Sequence, residues 1–120
     1  MKKAIIWHHP RCSKSRQTLA LLEGLCESED IEIEIRKYLE EVPSVALIKT
    51  TLKKLDLKAL DIIRKKESIF KELSLKDADE KTLISAMHTH PKLIERPIVI
   101  WGEKAILGRP PENVEQLFNT

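Results

Sequence analysis

Two strand-like runs separated by a helix-length connection constrain this chain more than any other feature. Residues 31–39, "IEIEIRKYL", alternate apolar and charged side chains with period two, the pattern of a half-buried β-strand. Residues 3–8, "KAIIWH", form a short apolar run rich in isoleucine and tryptophan, the pattern of a buried strand. Between them Thr18, Leu19, Leu22, Leu25 and Cys26 recur at helical spacing. A crossover of that length implies that the two strands lie parallel in one sheet. Ser13 is the expected N-cap of the crossover helix, and Gly24 weakens its last turn.

The next fifty or so residues read as helical. Pro43 and Ser44 open a helix whose stripe is Leu47, Ile48, Leu52 and Leu55. A short second helix is expected over about 57–64. A third is expected near 79–89, capped by Asp79, with Leu83, Ile84 and Met87 facing inward, and stopped before Pro91. Residues 97–108, "PIVIWGEKAILG", read as a hairpin turning at Gly102-Glu103, where glycine in the first turn position suits a type II′ turn. Finally "PPENVEQLF" places Pro111 at a helix start, with Val114, Leu117 and Phe118 at helical spacing. The expected order is β-α-β, a helical insertion at about 44–90, then β-β-α. That is a single α/β domain over residues 1–120 with a mixed four-stranded sheet.

Composition excludes several roles. A length of 120 residues supports one domain with one core, and 42% apolar with 33% charged residues fits a globular protein. A net charge of +2 gives no support to a nucleic-acid-binding surface as the main function, which would need a concentrated basic face. No run approaches the length of a membrane span, and the apolar run at the amino terminus is too short for a signal-peptide core. The expectation is a cytoplasmic protein. Its two cysteines make no disulfide framework and would stay thiols in a reducing compartment.

The charges are unevenly placed. Lys2, Lys3, Arg11, Lys14 and Arg16 precede the first carboxylate, Glu23, and three of them surround Cys12. Such a cluster is either a solvated patch or an anion site. A free thiol ionises at about pH 8.5. A helix beginning near Ser13 would lower that value through its exposed N–H groups and dipole, and so would the cations and a protonated His8. A lone cysteine at a helix start can equally be buried and inert.

Spacing removes some chemistries. Position 15 is serine, so there is no C-x-x-C redox pair. Position 18 is threonine, where a tyrosine-phosphatase loop needs arginine. His8-His9 and His88-x-His90 lack a cysteine set for zinc, so no metal is expected; His88 and His90 suit a helix C-terminal turn. Along a continuous helix Cys26 would lie about 21 Å from Cys12, beyond the roughly 7 Å that a disulfide allows, and its place on the apolar stripe assigns it to the core. Arg96 and Arg109 each precede a proline, and the hairpin would bring them close together. Arg64 ends a helix in "DIIRKKE". Guanidinium groups hold oxyanions by planar, bidentate donation. A thiol with several arginines has the composition of a tetrahedral-oxyanion site.

The chain resembles a known family at this point. "HHPRCSKSRQTL" is similar to the His-x-Pro-x-Cys-x-x-Ser-Arg-x-Thr-Leu segment of the glutaredoxin-coupled, ArsC-type arsenate reductases. "YLEEVPS", "RKKE", "ERPIVI" and "LGRPPENV" follow in that family's order. The resemblance implies a thioredoxin-like fold with a helical insertion, a role in arsenic detoxification, and a reaction. Cys12 would attack arsenate to form a thiol–arsenate adduct, glutathione would be co-substrate, glutaredoxin would supply reducing equivalents, and no cofactor would be bound. Arg64, Arg96 and Arg109 match oxyanion-binding arginines. His8 matches a residue that helps keep the cysteine ionised, Ser15 one whose hydroxyl reaches the thiolate, and Pro97 the cis-proline of the fold. The chain matches the compact subgroup of the family, and the Spx branch of the superfamily offers an alternative, a redox-sensing regulator that binds RNA polymerase. Its members typically carry C-x-x-C and lack a counterpart of Arg109, so Ser15 and Arg109 favour the enzyme. A glutathione-dependent thiol oxidoreductase without arsenate turnover is the third reading.

Overall fold

Parallel pairing of the first two strands sets the architecture. In the computed structural model, which describes residues 2–118, β1 (Lys3–Trp7) pairs in parallel with β2 (Glu32–Arg36), Ile6 opposite Ile35. The crossover is α1 (Ser13–Glu29). Cys12 rather than Ser13 is its N-cap residue, and Ser13 is the first helical position. The helix runs through Gly24 and ends at Asp30, whose left-handed backbone (φ 56) lets its N–H bond the carbonyls of Cys26 and Glu27.

The hairpin completes the sheet. β3 (Ile98–Trp101) pairs antiparallel with β1, and β4 (Lys104–Leu107) pairs antiparallel with β3. The strand order is β2-β1-β3-β4, a mixed four-stranded sheet as expected. Gly102 opens the two-residue turn at φ 62 while Glu103 keeps a negative φ, the signature of type II′.

One core lies between this sheet and α1. Ala4 and Ile6 of β1, Val99 of β3, and Leu22 and Cys26 of α1 are buried together with Val114 and Leu117. Those last two come from a segment that differs from expectation. Residues Pro111–Leu117 form a 3-10 helix, not an α-helix. Asn113 and Phe118 donate to the carbonyls of Pro110 and Glu115, i to i+3. Val114 and Leu117 are three residues apart, so three residues per turn put both on one face.

The chain falls into two compact units, Met1–Glu41 with Arg96–Thr120, and Val42–Glu95. The second is helical. α2 (Val45–Leu55) is capped by Ser44, whose hydroxyl accepts the Leu47 N–H, and α5 (Glu80–Thr89) by Asp79, which accepts from Thr82. α3 (Ala59–Ile62) is shorter than the expected helix, and α4 (Ser68–Glu72) is an addition to it. α2 and α3 both pack on α5. No helix among the described residues is long and apolar enough to cross a membrane.

Leu22 is fully buried against β1 and β3 residues. Leu22→Ala should cost roughly 3 kcal/mol, read as a lowered urea midpoint with an unchanged m-value.

Candidate active site

The turn between β1 and α1 aims a helix at its own first residue. His8 extends the sheet by donating its N–H to the Arg36 carbonyl at 2.8 Å. The Cys12 N–H then closes the turn onto the His9 carbonyl at 3.0 Å. Cys12 stands in extended backbone (φ −92, ψ 123), and its carbonyl accepts the first helical bond, from Arg16, at 3.0 Å. Its half-exposed side chain therefore lies at the positive end of α1.

The first turn of α1 holds no acidic residue. The exposed N–H groups find no carboxylate there, and a thiolate suits them. Burial pushes the Cys12 thiol up. The Ser15 N–H, a hydrogen bond and the charge from Arg96, and the Lys14 N–H pull it down and prevail, leaving it below its ordinary value. The thiol is no formal helix cap, but both amides face it closely enough to favour its ionised form.

Ser15 and His8 tie the turn together from beneath. Ser15 is fully buried and His8 nearly so. The Ser15 hydroxyl lies 2.7 Å from His8 Nδ1 and accepts the His9 N–H at 3.0 Å. Burial, then the charges of His9, Lys37 and Arg16, push the His8 imidazole below its ordinary value. A neutral ring near pH 7 supplies no charge to the thiol, as a protonated His8 would. It can accept the Ser15 hydroxyl proton instead. Ser15's bond toward Cys12 comes from its backbone N–H, while its hydroxyl serves His8 and His9. Arg16 reaches back to the Pro10 carbonyl at 2.9 Å and braces the turn.

Arg96 and Arg109 come together as expected. The Arg109 guanidinium donates to the Arg96 carbonyl at 3.1 Å. Both precede cis peptide bonds, Arg96-Pro97 as expected and Arg109-Pro110 in addition. The hairpin register explains the meeting, since Ile98 pairs with Leu107. Arg64 belongs to the helical unit. There its N–H donates to the Leu93 carbonyl at 2.7 Å, and its guanidinium is held by Glu67 at 3.3 Å and Glu95 at 3.0 Å. Those acids stand in "RKKE" and "ERPIVI", so the segments that suggested an anion site also supply the partners of its arginine.

Cys26 is buried in the core, where burial alone pushes its thiol up. Both cysteines are free. Among the described residues no group of three or more histidine, cysteine, aspartate or glutamate side chains could hold a metal. His88 lies in the last turn of α5, its Nδ1 2.9 Å from the Pro43 carbonyl.

A thiol at the amino end of the first helix, a cis-proline before the third strand and this strand order define a thioredoxin-like protein. The chain belongs to the ArsC family, whose model matches residues 7–117. It is 44% identical over 119 residues to YfgD, an uncharacterized protein of Escherichia coli K12, covering 97% of each chain. It is 42% identical over 121 residues to an arsenate reductase of Neisseria meningitidis, covering 98% of this chain and all of that one. The solved arsenate reductase from Vibrio cholerae superposes with a TM-score of 0.87 at 44% identity, over 96% of this chain and 97% of that one.

Two measurements check the electrostatics. Alkylation of native protein by iodoacetamide should modify Cys12 and spare Cys26, with a pH midpoint below the ordinary thiol value of about 8.5. Arg96→Ala should move that midpoint upward. The His8 imidazole, held below 6.5 in the fold, binds its proton more readily in the unfolded chain. Stability should be full above about pH 6.5 and decline as pH falls through the folded value. His8→Gln should flatten that decline in urea melts from pH 7.5 to 5.

Proposed function

We propose that the protein is an arsenate reductase that draws its electrons from glutathione and glutaredoxin. The observation that carries this reading is a Cys12 thiol held below its ordinary value, in part by the hydrogen bond and charge of Arg96, with Arg109 hydrogen-bonded to the Arg96 backbone. A lowered thiol pKa supplies a nucleophile near neutral pH. The two guanidinium groups supply donors for an anion that the thiolate would otherwise repel. The relative named arsenate reductase in Neisseria meningitidis supports the choice of arsenate among tetrahedral oxyanions.

In the proposed reaction the Cys12 thiolate attacks the arsenic of arsenate, and one oxygen leaves as water after protonation. Glutathione adds to the arsenic of the adduct and a second oxygen leaves as water. A glutaredoxin thiolate then attacks the glutathione sulfur, the sulfur–arsenic bond breaks with its electron pair left on arsenic, and a glutathione–glutaredoxin disulfide forms. Water cleaves the remaining bond between Cys12 and trivalent arsenic, which releases arsenite and restores the thiol. Overall, arsenate gains two electrons as two thiols become one disulfide. Neutral His8 acts through Ser15, fixing the turn that presents the thiol. Arg64 enters as a third oxyanion-binding guanidinium on the family resemblance. The reaction requires no bound cofactor, and we place it in the cytoplasm, where glutathione and glutaredoxin are reducing.

The test is a coupled assay with purified protein, arsenate, glutathione and an active glutaredoxin. Arsenite should form, Cys12→Ser should abolish it, and Cys26→Ser should retain it. Arg96→Ala and Arg109→Ala should each raise the arsenate KM about tenfold, the loss of one charge-assisted contact. A folded wild type that forms no arsenite under these conditions, yet reduces glutathione mixed disulfides, would instead be a thiol oxidoreductase.

A further inference from the structure

We propose that Thr18 is a positioning residue for the Cys12 site, holding the segment that carries Arg109 against the helix that carries the thiol. The proposal rests on the oxyanion reading of Arg96 and Arg109 and adds the element that fixes their relation to α1.

Thr18 lies on the apolar stripe of α1 and is fully buried. A valine would satisfy the packing there, but threonine brings a donor. Its Oγ1 bonds the Gly108 carbonyl at 3.2 Å, across ninety residues of sequence. Gly108 immediately precedes Arg109. The Gly108 N–H in turn donates to the Pro97 carbonyl at 2.9 Å, and Pro97 immediately follows Arg96. One residue thus links α1 to both proline-flanked arginine segments.

The approach is close enough to exclude a side chain. A Cβ on Gly108 would stand 2.7 Å from Thr18 Oγ1, and 2.8 Å from both Thr18 Cγ2 and Pro97 Cγ. Real Cβ atoms do not approach so near, so glycine is required for the contact to form. Arg109 then closes the arrangement by donating to the Arg96 carbonyl. Removing the Thr18 hydroxyl leaves a buried carbonyl without this donor. The Gly108–Arg109 segment then loses this side-chain tether to the helix that begins at Cys12.

The experiment compares alkylation of Cys12 by iodoacetate, an anion, with alkylation by neutral iodoacetamide. Both react with the thiolate, so the ratio of their rates cancels the ionised fraction and reports guanidinium groups near the sulfur. Arg109→Ala should lower the ratio roughly fivefold, the effect of one unit charge about 4 Å away in a watery site. Thr18→Val should lower it by a similar factor, and the double variant should fall no further. Thr18→Ser, which keeps the donor, should restore the wild-type ratio. Thr18→Ala removes the donor without adding bulk and replaces the valine variant if that one fails to fold. Thermal unfolding of each variant separates a general loss of stability from a change in ratio.

If Thr18→Val and Thr18→Ala keep the wild-type ratio while Arg109→Ala lowers it, Thr18 is a packing residue only. The proposal is then overturned and the oxyanion reading stands. An unchanged ratio in Arg109→Ala itself also overturns the proposal, and removes Arg109 from the oxyanion reading, which then stands on Arg96.

Discussion

The amide N–H groups that open α1 have no carboxylate to receive them. Most helices answer this need with an acidic or hydroxyl side chain in or before the first turn. Here the first turn is Ser13, Lys14, Ser15 and Arg16, and the residue before it is Cys12. The helix and its neighbours favour negative charge at the sulfur, with Arg96 adding to the same preference. The crossover fixes where this happens, because parallel pairing of β1 and β2 brings the start of α1 to the carboxyl end of β1.

The turn beneath the thiol is organised by neutral groups rather than by charge. His8 is buried among basic neighbours, which makes its protonation unfavourable. It contributes a hydrogen-bond partner for Ser15 instead. The cationic character of the site comes from arginine, which stays charged in these surroundings. Arg16, although close in sequence to Cys12, is directed to the Pro10 carbonyl and acts on the backbone. Arg16 and Arg96 therefore do different things, and it is the arginine distant in sequence that acts on the thiol.

Much of the fold was legible in the residues. Period-two alternation at 31–39, the stripe ending at Cys26, Ser44 and Asp79 as caps, and the glycine of the II′ turn each specify local geometry by local chemistry. The site was legible where local signals met topology: Cys12 at a helix start, and Arg96 with Arg109 across a hairpin. What escaped depends on contacts distant in sequence or on short elements. α4 spans five residues, with Phe70 its buried side chain, too little for a periodic pattern. The last helix carries spacings compatible with three or 3.6 residues per turn, so its periodicity alone does not choose between them. Arg64 reads as an available cation until Glu67 and Glu95 are found beside it. Thr18 reads as one more stripe residue, because the carbonyl it bonds lies ninety positions away.

The burial of Cys26 has a kinetic meaning. It is the chain's other cysteine, fixed in the core and far along α1 from Cys12. A sulfur adduct or mixed disulfide at Cys12 therefore has no second thiol within reach on the same helix. Its lifetime is set by encounter with a thiol from another molecule. Recovery of the free cysteine then follows the concentration of that external donor, and depleting the donor would trap the protein in its modified form with its fold undisturbed.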